Sequence, residues 1–132
     1  MSVRILYKRT KERPTFIYID ESTTDGTIQQ LRRCLSEGKI SPNNYNVAYL
    51  WYKPSVGIPK GGIEHFPLQV IGPKTALYIS GVTAGYGGEG PHGTITCLEL
   101  LGFKLREKDK RAITSMNDKD EQDPLICLKF KK

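Results

Sequence analysis

The residues best suited to chemistry are gathered in one stretch, TALYISGVTAGYGGEGPHGTITCLELLGF. Gly85, Gly87, Gly88, Gly90 and Gly93 lie within nine positions, beside Tyr86, His92 and Thr94. A turn of this kind lets successive backbone N–H groups face one point without side chains in the way, and a helix starting at its end adds positive dipole potential. The natural ligand of that geometry is an anion, most often a phosphate. Tyr86 can lay its ring on a base or sugar, and His92 and Thr94 can hydrogen-bond phosphate oxygens. The plainer alternative is a strand-to-helix turn whose glycines permit tight packing. Five glycines are more than an ordinary turn needs, because each adds to the chain entropy lost on folding.

The stretch matches neither standard phosphate-binding fingerprint. No GK[ST] follows it, and the GxGxxG spacing and its distant acidic residue are missing. Counter-charges for a phosphate are available in Arg32 on a first helix and in Arg106 and Arg111 after a second, where bidentate contacts would suit a pyrophosphate. Each is also an ordinary surface charge. His65 and His92 have no Asp or Cys at motif spacing, and no nucleophile elbow, HExxH, zinc-deaminase signature or calcium loop occurs. The sequence therefore specifies no catalytic residue, metal site or cofactor. An enzyme acting on a phosphorylated metabolite through His92 stays open as a minor alternative.

Two helices and several strands must position these groups. VRILYK (3–8) and TFIYID (15–20) read as the arms of a hairpin around TKERP. IQQLRRCLSEG, preceded by the capping cluster ESTTDGT, places Ile28, Leu31, Cys34 and Leu35 at helical spacing, with Gly38 as its stop. YNVAYLWYK (45–53) is a strand with Val47, Tyr49 and Trp51 on one face and Ala48, Leu50 and Tyr52 on the other. A Pro- and Gly-rich connection follows, then LQVIG and TALYISG around a Gly72-Pro73 turn. A second helix runs through TITCLELLGF to Gly102, and LICLKFKK forms a final strand. The expected fold is α+β, a single domain over 1–132 with two helices on a small, mostly antiparallel sheet.

Composition narrows the classes further. In 132 residues, 20 Lys+Arg against 14 Asp+Glu give a net charge of +6. The positive charge is concentrated at 1–13 (Arg4, Lys8, Arg9, Lys11, Arg13) and 104–111 (Lys104, Arg106, Lys108, Lys110, Arg111). At 38 % hydrophobic and 26 % charged the chain suits a globular domain. No apolar run nears the roughly 18 residues of a membrane span, and the start lacks a secretory h-region, so a cytoplasmic protein is expected. Cys34, Cys97 and Cys127 form no metal or disulfide pattern and read as small buried hydrophobes.

In size, in its sheet with two helices flanked by basic residues, and in Gly85-Tyr86-Gly87-Gly88-Glu89-Gly90-Pro91, the chain resembles the small phage anti-Thoeris sponge proteins. That resemblance implies binding of a cyclic ADP-ribose-type immune signal in the host cytoplasm without turnover, in an oligomer with pockets between protomers. It also implies base stacking by Tyr86 and pyrophosphate contacts from nearby arginines. The leading expectation is thus a non-enzymatic binder of a nucleotide-derived signal through Arg32, Gly85, Tyr86, Gly87, Gly88, Gly90, His92, Thr94, Arg106 and Arg111. The alternative is a nucleic-acid-binding module in which the basic segments track phosphates and Tyr49, Trp51 or Tyr52 stack on bases. A further alternative is a basic surface for an acidic protein partner.

Overall fold

The computed structural model describes residues 15–52, 66–83, 88–115 and 126–132. The expected strand at 3–8 and its hairpin, the connection around His65, the turn residues Gly85, Tyr86 and Gly87, and the acidic stretch 118–123 lie outside the described residues.

Five strands, β1 (Thr15–Ile19), β2 (Val47–Tyr52), β3 (Leu68–Ile71), β4 (Thr75–Ile79) and β5 (Ile126–Lys131), form one sheet in the order β1-β4-β3-β2-β5. The three pairings β2 with β3, β3 with β4 and β2 with β5 are antiparallel, while β1 lies parallel to β4. The α+β class holds, and the sheet is mixed. Strand alternation explains its two faces. Ile17, Leu77, Val70, Ala48 and Phe130 form one cross-strand row, and Ile19, Ile79, Leu68, Leu50 and Leu128 form the next. Both rows belong to, or pack against, a core completed by Leu31, Cys34, Cys97, Leu98, Leu101, Phe103 and Ile113 from the helical side.

Helix α1 (Thr24–Ser36) begins where the Thr23 side chain accepts a hydrogen bond from the Gly26 N–H at 3.0 Å. Thr24, Thr27, Leu31 and Cys34, three or four residues apart, form its buried stripe. Helix α2 spans Glu89–Leu100, so it starts five residues before the TITCLELL run. Gly90 and Gly93 therefore belong to a helix, not to a turn.

A third helix, α3 (Glu107–Ser115), adds to the two expected from the sequence. Only Ile113 is buried in it, too little apolar signal to show a period. Its start is fixed instead by Asp109, whose carboxylate accepts the Arg106 N–H at 2.9 Å. Lys110 and Glu99, 3.6 Å apart, tie it to α2.

Candidate functional site

The glycine-rich stretch is packed closely where it is described. A Cβ on Gly93 would lie 2.2 Å from Thr24 Cγ2, so only glycine lets α2 approach the start of α1 this closely. Gly81 has φ of +81° and brings the end of β4 against Thr27. The hydroxyls here are occupied by the fold. Thr24 donates to the Gly81 carbonyl at 2.8 Å, Thr27 to the Ser80 carbonyl at 2.7 Å, and Thr94 to the Thr83 carbonyl at 2.6 Å. Thr94, expected as a phosphate ligand, is fully buried, and its hydroxyl is engaged by the fold. His92 remains exposed and lies with Nδ1 2.8 Å from the Gly88 carbonyl oxygen. Gly88 caps α2 without a side-chain hydrogen bond, and Gly90 is buried within the first turn.

The three candidate arginines do not gather around Gly88. Arg32 is exposed and lies about 12 Å along α1 from its N-terminus, at 1.5 Å per residue. The same rise puts Glu99 about 16 Å along α2 from Gly88, and the Lys110–Glu99 contact holds α3 at that far end. Arg106 is at the start of α3, and Arg111 is exposed on it. Following Gly88 in sequence does not place Arg106 and Arg111 beside it in space.

Arg106 lines a different feature, a cleft of about 320 Å³ formed with Lys104, Leu105, Asp109, Lys129, Phe130 and Lys131. Because side chains alternate along a strand, three consecutive residues of β5 lining one cleft mean that it straddles the edge of that strand. Four cations face one carboxylate, and Asp109 is already held by Arg106, with Nε 3.4 Å from Oδ2. Lys104, Lys129 and Lys131 form no ion pair among the described residues. A concentration of cations that have no acidic partner among the described residues, with apolar walls, suits a phosphate-bearing ligand.

Lys129 also belongs to the face of the sheet opposite the helices. There the register sets Tyr18, Tyr78, Gln69, Tyr49 and Lys129 in one row across all five strands. The neighbouring row is Phe16, Ala76, Ile71, Val47 and Lys131. The Lys129 ammonium lies 5.7 Å from the Tyr49 ring centroid. Tyr18 and Tyr78 meet at 5.5 Å, with Phe66 against Tyr18 at 5.4 Å. Phe16 and Tyr18 are 51 % and 58 % exposed, the two large hydrophobic side chains most open to solvent among the described residues.

Of this surface, sequence reasoning had singled out Tyr49 and Trp51 as stacking candidates and Arg106 as a ligand. It passed over Tyr18, Tyr78 and Lys129. A signal was present in TFIYI, where Phe16 and Tyr18 alternate with Ile17 and Ile19, and in CLKFK, where lysines alternate with Leu128 and Phe130. Trp51 shares the open face by parity, and its indole N–H is buried without a hydrogen-bond partner among the described residues.

Among the described residues no group of three or more His, Cys, Asp or Glu could hold a metal ion, and no helix is long and apolar enough to cross a membrane. No family model, curated protein or solved structure matches the chain.

Proposed function

We propose that the protein binds a nucleotide-type ligand without transforming it, stacking a base on the open sheet face and holding phosphate in the adjoining cationic cleft. The observation that carries this reading is the double position of Lys129, which lies over the Tyr49 ring and also lines the cleft. An aromatic face and a phosphate-sized group of cations thereby adjoin one another, as a base and its phosphate do. The test is calorimetric titration with nucleoside monophosphates, di- and triphosphates, cyclic dinucleotides, cyclic ADP-ribose isomers and short oligonucleotides, with nucleosides and inorganic pyrophosphate as controls. Phosphorylated nucleosides are expected to bind more tightly than either control, and Lys129→Ala to weaken them. Absence of heat with every nucleotide and oligonucleotide overturns the reading. Mass spectrometry of ligand recovered after denaturation should return it chemically intact.

A second reading places a small cyclic nucleotide at the glycine turn, sequestered as a host immune signal. It is favoured by the two helix N-termini packed side by side where the parallel strands β1 and β4 end, a common location for anionic ligands in α/β sheets. Under it, the arginines would come from a second copy of the chain, and Tyr86 would supply the stacking ring. Substitution of Tyr86 then weakens binding while Lys129→Ala leaves it unchanged.

A further inference from the structure

The open face is longer than one nucleotide needs. Neighbouring strands are about 4.8 Å apart, so the row from Tyr18 to Lys129 crosses about 19 Å. It presents three tyrosines in series, broken only by Gln69, and this row and the row from Phe16 to Lys131 each end on a lysine of β5. A single nucleotide anchored at Lys129 and Tyr49 would leave the exposed Tyr18 at the far edge uncovered. Among the described residues, charge is unevenly distributed around this face. Lys104, Arg106, Lys129 and Lys131 gather at the β5 edge. Flat sheet faces with serial aromatic residues receive unpaired bases, roughly two or three of them, while paired bases in a duplex offer no free ring face for stacking.

We infer that the ligand of this surface is a single-stranded oligonucleotide laid across the strands. Its bases stack on Tyr49, Tyr78 and Tyr18, and its phosphates are held from Lys129 and Lys131 into the cleft lined by Lys104 and Arg106. The inference rests on the nucleotide-binding reading and specifies the class of ligand. The charge of the β5 edge favours this occupant over a second copy of the chain, whose matching edge would be equally positive.

The experiment is a length series of fluorescently labelled single strands, from mononucleotide through trinucleotide to about 12 nucleotides, with a duplex of the same sequence, followed by anisotropy on the full chain. Affinity is expected to rise at least about tenfold from one nucleotide to three, the effect of adding stacked bases. Neutralising three or four phosphates should make log K fall against log salt with a slope of about −2 to −3. Tyr18→Ala should weaken the trinucleotide about tenfold and leave the mononucleotide unchanged, whereas Lys129→Ala should weaken both. Tyr18 is solvent-facing, and a thermal melt on each variant confirms the fold. Equal affinity for mononucleotide and trinucleotide overturns the inference and leaves the nucleotide reading standing. Absence of binding at every length overturns both. Equal binding of the duplex, or a dimer in sedimentation that Tyr18→Ala abolishes, also overturns the inference.

Discussion

The end of the sheet where β1 and β4 run into α1 and α2 and the open face ending at β5 use polar groups in opposite ways. At the first, glycines bring backbone and hydroxyls together until Thr24, Thr27 and Thr94 each donate to a carbonyl of the β4 segment. At the second, the rings of Tyr18, Tyr78 and Tyr49 are arrayed in register and their phenols make no hydrogen bond among the described residues. Lys104, Lys129 and Lys131 likewise lack an acidic partner there. Folding commits the side chains of the first region to the fold and leaves those of the second available. Residues of the right type for a ligand are informative only once the fold's own claim on them is known.

The sharpest way to break this contrast is through Gly93. Gly93→Ala forces a methyl against Thr24 and should cost about 1–3 kcal/mol of stability, read as a lower denaturation midpoint, with affinity for nucleotides unchanged where the protein is folded. An unperturbed midpoint together with lost binding would reverse the roles of the two regions. Of comparable size is a pH effect on the helix side. Burial pushes the Cys97 thiol up to about 12, against 9.0 when exposed. The unfolded chain therefore releases this proton first. Stability is full below pH 9 and should fall above it by about 1.4 kcal/mol per pH unit until the folded thiol ionises. Cys97→Ala should flatten that part of the profile, measured by urea unfolding at several pH values.

A smaller change is expected from Thr94→Val, which removes the hydroxyl's hydrogen bond to the Thr83 carbonyl. It should cost about 1 kcal/mol and leave ligand affinity unchanged. If Thr94 contacted phosphate, affinity would fall instead. The smallest effect on stability belongs to the open face. Alkylation of the native chain should modify the exposed Cys127 and spare buried Cys34 and Cys97. A bound oligonucleotide should slow that reaction, because Cys127 pairs with Trp51 on the same face. Unchanged reactivity at saturation would place the ligand elsewhere.

Much of this architecture could be read from residue order. The first helix, its capping cluster and its glycine stop, the strands at 47–52, 68–71 and 75–79, and the last strand all follow from periodicity and turn residues. The parallel placement of β1 could not, because it depends on a partner far along the chain and not on local pattern. Helix α3 was hidden for a different reason, since a single buried isoleucine gives no period and its start depends on an Asp109 carboxylate bond to backbone. The site was less legible than the fold. A glycine-rich turn looks the same in sequence whether its amides face a ligand or its glycines admit a neighbouring helix, and the 2.2 Å approach to Thr24 is visible only in three dimensions. Tyr18 and Lys129 drew no notice because neither belongs to a motif. Their significance arises from register.

That register has a kinetic side. The strands β2, β3 and β4 are joined by antiparallel pairings between sequence neighbours, whereas β1 meets β4 through partners 60 residues apart and β5 meets β2 through partners farther still. Closing such long loops is slow compared with local pairing, so the central meander should form early and both outer strands dock late. Tyr18 and Lys129 sit on those outer strands. The row is complete only when folding is complete, and a ligand spanning it acts as a clamp across the sheet, holding both late strands in place and slowing their release.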